Sequence, residues 1–210
     1  MKHISKGEEP SFLTVWKKND KMCKRGKPNE NRLKSQEKKE LKRSLIKEHG
    51  AICCYCRVRI GPDNSHVEHF RPMNNYPELQ LEYDSLLCSC QSELEKREPR
   101  HCGNAKGSWF DENLTISPLD PECESQFEYL EDGSIRPSDR NDEGAKQTIA
   151  HLALDIEKLN ELRKAAMAAA LDSWEGESIQ EQMAIYSQRN PADKKFTPFC
   201  SVIMNALSSL

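Results

Sequence analysis

Two stretches decide how this chain folds. They are CCYCRVRIGPDNSHVEHFRP, residues 53–72, and LLCSCQSELEKREPRHCGNAKG, residues 86–107. The first opens with Cys53-x-x-Cys56, a spacing that lets two thiolates on one tight turn reach a single tetrahedral ion at ~2.3 Å. A second pair must come from Cys88, Cys90 and Cys102. The expected structural Zn2+ site is Cys53, Cys56, Cys90 and Cys102, with Cys54 and Cys88 as the alternates in each half and Cys102 as the fourth ligand, reached from Cys90 over a gap longer than a simple knuckle. A redox Cys-x-x-Cys would follow a strand and open a helix, and no such pattern surrounds this one. Buried thiols packed as small hydrophobes are the remaining reading.

The same stretches carry a second chemistry. His66-Val67-Glu68-His69-Phe70-Arg71-Pro72 sets a carboxylate beside an imidazole. The carboxylate of Glu68 is a hard oxygen ligand suited to Mg2+ or Mn2+. The imidazole of His69 can take a proton from water near neutral pH. Neighbouring side chains on a strand point to opposite faces, so a strand must bulge or end here if both are to serve one site. Pro72 is consistent with the chain leaving the strand directly afterwards. His101-Cys102-Gly103-Asn104-Ala105-Lys106 then places an amide oxygen, an imidazole and a lysine beside a metal-binding cysteine. Asn104 could complete a Mg2+ shell, and Lys106 could bind a phosphate as a point charge.

The chain around these motifs is polar. It has 210 residues, 36% apolar and 31% charged, with a mean hydropathy of -0.82. An apolar fraction this far below the ~45–50% of ordinary domains implies that something besides core burial holds the chain together. No apolar run approaches the ~18 residues of a membrane span, and MKHISKGEEP lacks the apolar region of a secretory signal. The expected location is therefore the cytoplasm, with no membrane contact. Thiols there stay reduced and, when clustered, read as metal ligands. Of the nine cysteines, seven fall between Cys53 and Cys123.

Charge runs in a gradient. Residues 1–50 carry 15 Lys+Arg against 7 Asp+Glu, residues 51–110 carry 7 against 8, and residues 111–210 carry 9 against 19. The basic start suits contact with a phosphate backbone. The acidic half suits solvent or a basic protein partner.

These shifts divide the chain into a basic arm and helix (1–50), a Cys- and His-rich core with its zinc knuckles (51–110), and a hairpin plus helical region (111–210), packed as one unit of α+β class. Residues 1–34 read as an extended arm with a short helix near Phe12–Lys18. Ser35 would cap a helix lined by Leu41, Leu45 and Ile46 and stopped at Gly50. QSELEKREPRH reads as an inserted helix or loop. A hairpin is expected to turn at Asp132-Gly133. Helices follow over 142–171, with Asp155 capping the second and Ile149, Leu152, Ile156, Leu159, Leu162, Ala166 and Ala170 facing inward. Two more are expected over 177–189 and 193–208, the first ended by Pro191.

Together the motifs resemble the HNH endonucleases, which have the ββα-metal fold. Cys53-x-x-Cys56, Glu68-His69-Phe70-x-Pro72, Leu86-Leu87-x-Ser89-Cys90, Cys102 and Lys106 follow that family's order. MKHISKGEEPSFL, HVEHFRP, YDSLLCSC, HCGNAKG, TISPLDPECESQFEYLEDGSIRP and LALDIEKLNELRK extend the resemblance over nearly the whole chain, toward the PtuB-like nucleases of Septu and retron anti-phage systems. The resemblance implies that His69 is the general base, that Glu68 holds the catalytic Mg2+ or Mn2+, and that Asn104, with His101 as alternate, is the second ligand. It implies an ABC/SMC-type ATPase (PtuA-like) as partner and, in retron settings, a reverse transcriptase with its RNA–DNA hybrid. Ser85 stands where the family has an Asn that orients the base, and Gly103 where many members place the metal-binding Asn.

The expected activity is hydrolysis of phosphodiester bonds in DNA or RNA, tRNA included. Lys106 and Arg71 would steady phosphates, and His66 and Ser85 would support the site from behind, with a metal or phosphate contact as the alternative for His66. The alternative is a catalytically degenerate zinc-ribbon adaptor linking an ATPase to nucleic acid. Trp16, Trp109 and Trp174 are expected in packing roles, as is His151, while His3 and His49 are expected on the surface.

Overall fold

A computed structural model describes residues 1–19, 33–92, 94–95, 97–174 and 178–209. These form seven α-helices and two small antiparallel sheets, a mixed α/β chain. Helices α1 (Ser11–Asn19) and α2 (Ser35–Glu48) precede strands β1 (Ser65–His69) and β2 (Leu86–Cys90). A single helical turn, α3 (Gly103–Lys106), comes next, then β3 (Phe127–Tyr129), β4 (Ile135–Pro137), α4 (Glu143–His151), α5 (Glu157–Asp172), α6 (Ile179–Ser187) and α7 (Cys200–Leu207).

Helix α2 buries Leu41 and Leu45, one turn apart, against the β1–β2 pair. Its start lies one residue ahead of the expected Ser35 cap. Lys34 is the cap residue, and its N–H donates to the Glu37 carboxylate at 2.6 Å. The helix stops where the sequence indicates. Gly50 has φ +62°, and a Cβ there would lie 2.5 Å from the Phe196 ring. The basic start is less free than an extended arm: Met1, Ile4 and Leu13 are buried, because they fill the core beneath the second hairpin and α2. Residues 20–32, another part of the basic run, lie outside the described residues.

Strands β1 and β2 pair from Ser65↔Cys90 to His69↔Leu86. All five residues of β2 are buried. In front of β1 the chain makes a tight loop closed by the Ile52↔Arg59 bridge. Cys53 N–H donates to Val58 O at 2.9 Å and Arg57 N–H to Cys53 O at 3.2 Å, which draws Cys53 and Cys56 onto one turn. The stretch between Cys90 and Cys102 has no helix among its described residues.

The second hairpin turns at Asp132-Gly133 as expected. Gly133 has φ +84°, and a Cβ there would meet the Asn160 carbonyl oxygen at 2.0 Å. Three details of the helical half differ from the sequence reading. Asp155 does not cap α5; it accepts from Ile135 N–H and from Asn160 Nδ2 instead. Leu162 is 41% exposed, and the inward face at that level is Arg163, 1% exposed. Arg163 donates to the carbonyls of Gly133 (2.8 Å) and Leu154 (2.5 Å), so its buried guanidinium ties the hairpin turn to α5. The last helix starts at Cys200, not 193, because Pro198 disfavours helical backbone at Thr197 and Phe199 turns left-handed at φ +56°.

Candidate functional site

Four side chains converge beside β2. The sulfurs of Cys53, Cys56, Cys90 and Cys102 all lie within 4.8 Å of one another, and all four residues are buried. Cys56 and Cys90 are 3.7 Å apart, far beyond a ~2.05 Å disulfide and close to the edge of a tetrahedron with ~2.3 Å zinc–sulfur bonds. The four cysteines remain free thiols. Four sulfurs this close cannot all ionise without a cation between them, so the set could hold a structural metal such as Zn2+.

The structure brings together the four cysteines that the sequence reading groups. Cys54 and Cys88, the alternates, lie outside it, and burial pushes their thiols up, that of Cys88 to about 12. His101 is only 2% exposed and sets Nδ1 3.2 Å from Cys102 Sγ and 3.7 Å from Cys90 Sγ. It belongs to the thiol cluster rather than to the neighbourhood of Glu68.

Strand β1 ends at His69, and the chain turns toward Pro72, which is the break that a joint Glu68–His69 site requires. Both residues line one cavity of about 220 Å³, with Val67, Pro72, Met73 and Gly107. Glu68 is buried and held on both oxygens. Its Oε1 accepts from Tyr55 OH at 3.0 Å and from Lys106 Nζ at 2.9 Å, and its Oε2 lies 3.5 Å from His66 Nε2. Burial pushes the Glu68 carboxyl up, but His66 and Lys106 outweigh it and hold the group below its ordinary value.

His69 Nε2 lies 3.1 Å from the Gln80 carbonyl oxygen. A carbonyl only accepts, so in the neutral ring this contact selects the tautomer with the proton on Nε2 and the lone pair on Nδ1. Ser85 holds the chain just past this histidine, its carbonyl accepting from Phe70 N–H at 3.4 Å.

Lys106, 1% exposed in its side chain, spans Glu68 and the His69 carbonyl, 2.9 Å from each. Arg71 is paired with Glu112 at 2.8 Å. Asn104 donates to the Gln91 carbonyl at 2.6 Å. On an α-helix residues 104 and 106 sit ~160° apart, so Asn104 faces away from the side on which Lys106 holds Glu68.

Two contributors escape the sequence reading. Tyr55 sits between the knuckle cysteines and joins the thiol cluster to Glu68; its position inside Cys53-x-x-Cys56 is the available signal. Gly103 lies against the carboxylate, where a Cβ would come 2.3 Å from Glu68 Oε2 and 2.7 Å from His66 Nε2. Beyond β1, a groove of about 560 Å³ is lined by Lys38, Lys39 and Lys42 with His66 and Val67. Val67 lines both this groove and the smaller cavity. His49 is buried, not on the surface as expected, because α2 ends beneath the N-terminal segment; burial lowers it to about 3. His151 stacks on Trp109 at 4.1 Å.

No helix among the described residues is long and apolar enough to cross a membrane. No family model matches the chain. The chain is 32% identical over 114 residues to a protein of Vibrio cholerae serotype O1 biovar El Tor named "Retron Vc95 putative HNH endonuclease". That alignment covers 53% of this chain and 53% of the other protein, so the chain spans about half the length of the curated relative it matches.

Proposed function

We propose that this chain is a metal-dependent HNH-type endonuclease that hydrolyses phosphodiester bonds of nucleic acid. The observation that carries the reading is the pair Glu68–His69 at the end of β1, opening on one cavity beside the thiol cluster. The antiparallel pair β1–β2 and the helical turn α3 support the reading as the counterparts of a ββα-metal site. The similarity to a protein named as an HNH endonuclease supports the same class.

The donor chemistry at Glu68 suits a hard divalent cation: a buried carboxylate with one oxygen turned to an imidazole. When bound there, Mg2+ or Mn2+ supplies Lewis-acid stabilisation of the charge that develops on the phosphate and the leaving oxygen. His69 acts as general base, taking a proton from water at Nδ1 while Nε2–H stays on the Gln80 carbonyl. Lys106 fixes the Glu68 carboxylate and the backbone at His69 rather than reaching out to a phosphate. The lysines of α2 offer the backbone of a nucleic-acid strand a cationic wall that runs to the cavity.

One observation favours the adaptor reading: the Lys106 ammonium already neutralises Glu68. Cutting assays separate the two. The zinc-loaded protein is incubated with labelled plasmid, single-stranded DNA and tRNA, with Mn2+ or EDTA. Cutting that needs Mn2+ and is lost in Glu68→Ala supports the nuclease, whereas no cutting of any substrate leaves the adaptor.

A setting in anti-phage defence, of the PtuB-like kind and beside an ABC/SMC-type ATPase or a retron reverse transcriptase, is part of the same proposal. It rests on the sequence resemblance, the retron in the relative's name and the acidic helical half, which exposes Leu171 and Ile185. Co-purification of the chain with a co-expressed ATPase tests it.

A further inference from the structure

We infer that His66 is the second protein ligand of the divalent cation, its Nε2 acting with Oε2 of Glu68, and that Gly103 leaves the approach to these two atoms open. The inference rests on the nuclease reading and moves His66 from behind the site, where the sequence reading prefers it, into direct contact with the ion.

His66 and Glu68 stand two residues apart on β1 and so share a face. Their facing atoms are 3.5 Å apart, within the ~4.2 Å that one ion can span between two ligands at ~2.1 Å each. The other carboxylate oxygen is taken by Tyr55 OH and Lys106 Nζ. These two contacts hold the carboxylate so that Oε2 is the oxygen left facing His66.

Space is preserved at the same place. A Cβ on residue 103 would press to 2.3 Å from Oε2 and 2.7 Å from Nε2. Any side chain there would therefore cover the pair from the α3 side. Gly103 N–H is meanwhile held by Ser89 Oγ at 3.2 Å, which keeps the backbone in position. The side chain of His66 is 29% exposed and lines the lysine groove, so an ion at this pair would stand between the groove and the Glu68–His69 cavity. The other candidates are engaged elsewhere: Asn104 on the Gln91 carbonyl and His101 among the thiols. An imidazole with a carboxylate suits Mn2+ among the hard cations.

The test uses Mn2+ as probe on the full, zinc-loaded chain without nucleic acid. Binding is read from the loss of the free Mn2+ electron paramagnetic resonance signal. Ligation is read from nitrogen-14 modulation of the bound ion's spin echo. The wild type should bind one Mn2+ and show a nitrogen coupling. His66→Ala and the milder His66→Gln should weaken binding about tenfold or more, on the scale of lost groups around a metal, and abolish that coupling, with zinc content and thermal unfolding unchanged. A persisting nitrogen coupling in both variants overturns the assignment. So does wild-type affinity in both, a loss that falls on Asn104→Ala instead, or no Mn2+ binding by the wild type. Because no substrate is present, the result stands apart from cutting. Metal-dependent cutting with Mn2+ binding indifferent to His66 sinks this ligand alone, and intact His66-dependent binding without cutting sinks the nuclease reading.

Discussion

Replacing Lys106 by Met should destabilise the protein by about 3 kcal/mol near pH 7, at the lower end of the ~3–5 kcal/mol lost when a buried ion pair is broken from one side. The side chains of Lys106 and Glu68 are 1% and 7% exposed, with nitrogen and oxygen 2.9 Å apart. Met has nearly the same length, so packing is kept while the carboxylate loses its main cation. Tyr55 OH at 3.0 Å and His66 at 3.5 Å remain and offset part of the penalty.

The pH dependence carries a sign. In the wild type Glu68 is held below its ordinary value, so it contributes stability that is present above its unfolded pKa of ~4.3 and is lost as pH falls through the folded one. In Lys106→Met burial dominates and the carboxyl rises above that value. The variant is then relieved by protonation, and the gap to wild type should narrow from pH 7 toward pH 4. Urea unfolding of zinc-loaded protein at several pH values measures both effects. A double-mutant cycle with Glu68→Gln, which removes the stranded charge, should show coupling above ~1 kcal/mol. A cost below ~1 kcal/mol at pH 7, a gap that does not change with pH, or additivity with Glu68→Gln would refute the reasoning.

Gly103→Ala should cost ~1–3 kcal/mol, the usual penalty of forced overpacking, because its Cβ meets Glu68 Oε2 at 2.3 Å; urea unfolding reads it. Buried His49, lowered to about 3, is neutral when folded. Its unfolded pKa is ~6.5, so its contribution is fully present above that and falls progressively toward pH 3, by about 3 kcal/mol between pH 7 and pH 4. His49→Gln at equal zinc content should flatten the stability profile over that window. Elemental analysis should find one zinc per chain, and stripping it with a strong chelator, or Cys102→Ser, should lower the unfolding temperature sharply, since a structural metal's binding energy is folding energy.

The half that carries the thiol cluster was legible because its signals are local. Cys53-x-x-Cys56 fixes a tight turn, and Glu68-His69 before Pro72 marks a strand that ends. The convergence of Cys90 and Cys102 on that turn was readable as a count of unassigned thiols. The inward face of α5 was not, since Arg163 looks like a surface residue until the carbonyls of Gly133 and Leu154 are brought to it by the fold. The start of α7 was misplaced because apolar periodicity continues through Phe196 and Phe199, and the left-handed turn at Phe199 overrides it. Lys106 reads alone as a phosphate contact, because the strand pairing that carries Glu68 to it is non-local. His66 reads alone as a residue behind the site for a related reason: its significance lies in a 3.5 Å approach and in a missing Cβ on a segment more than thirty residues away.

The most direct test of the nuclease reading is single-turnover cutting by zinc-loaded His69→Ala in Mn2+, beside the wild type and on the substrate the wild type cuts. Loss of cutting by ~100-fold or more, the scale of a removed general base, with zinc content and unfolding temperature unchanged, is the expected result. Cutting by His69→Ala at the wild-type rate would contradict the assignment of water activation to this residue.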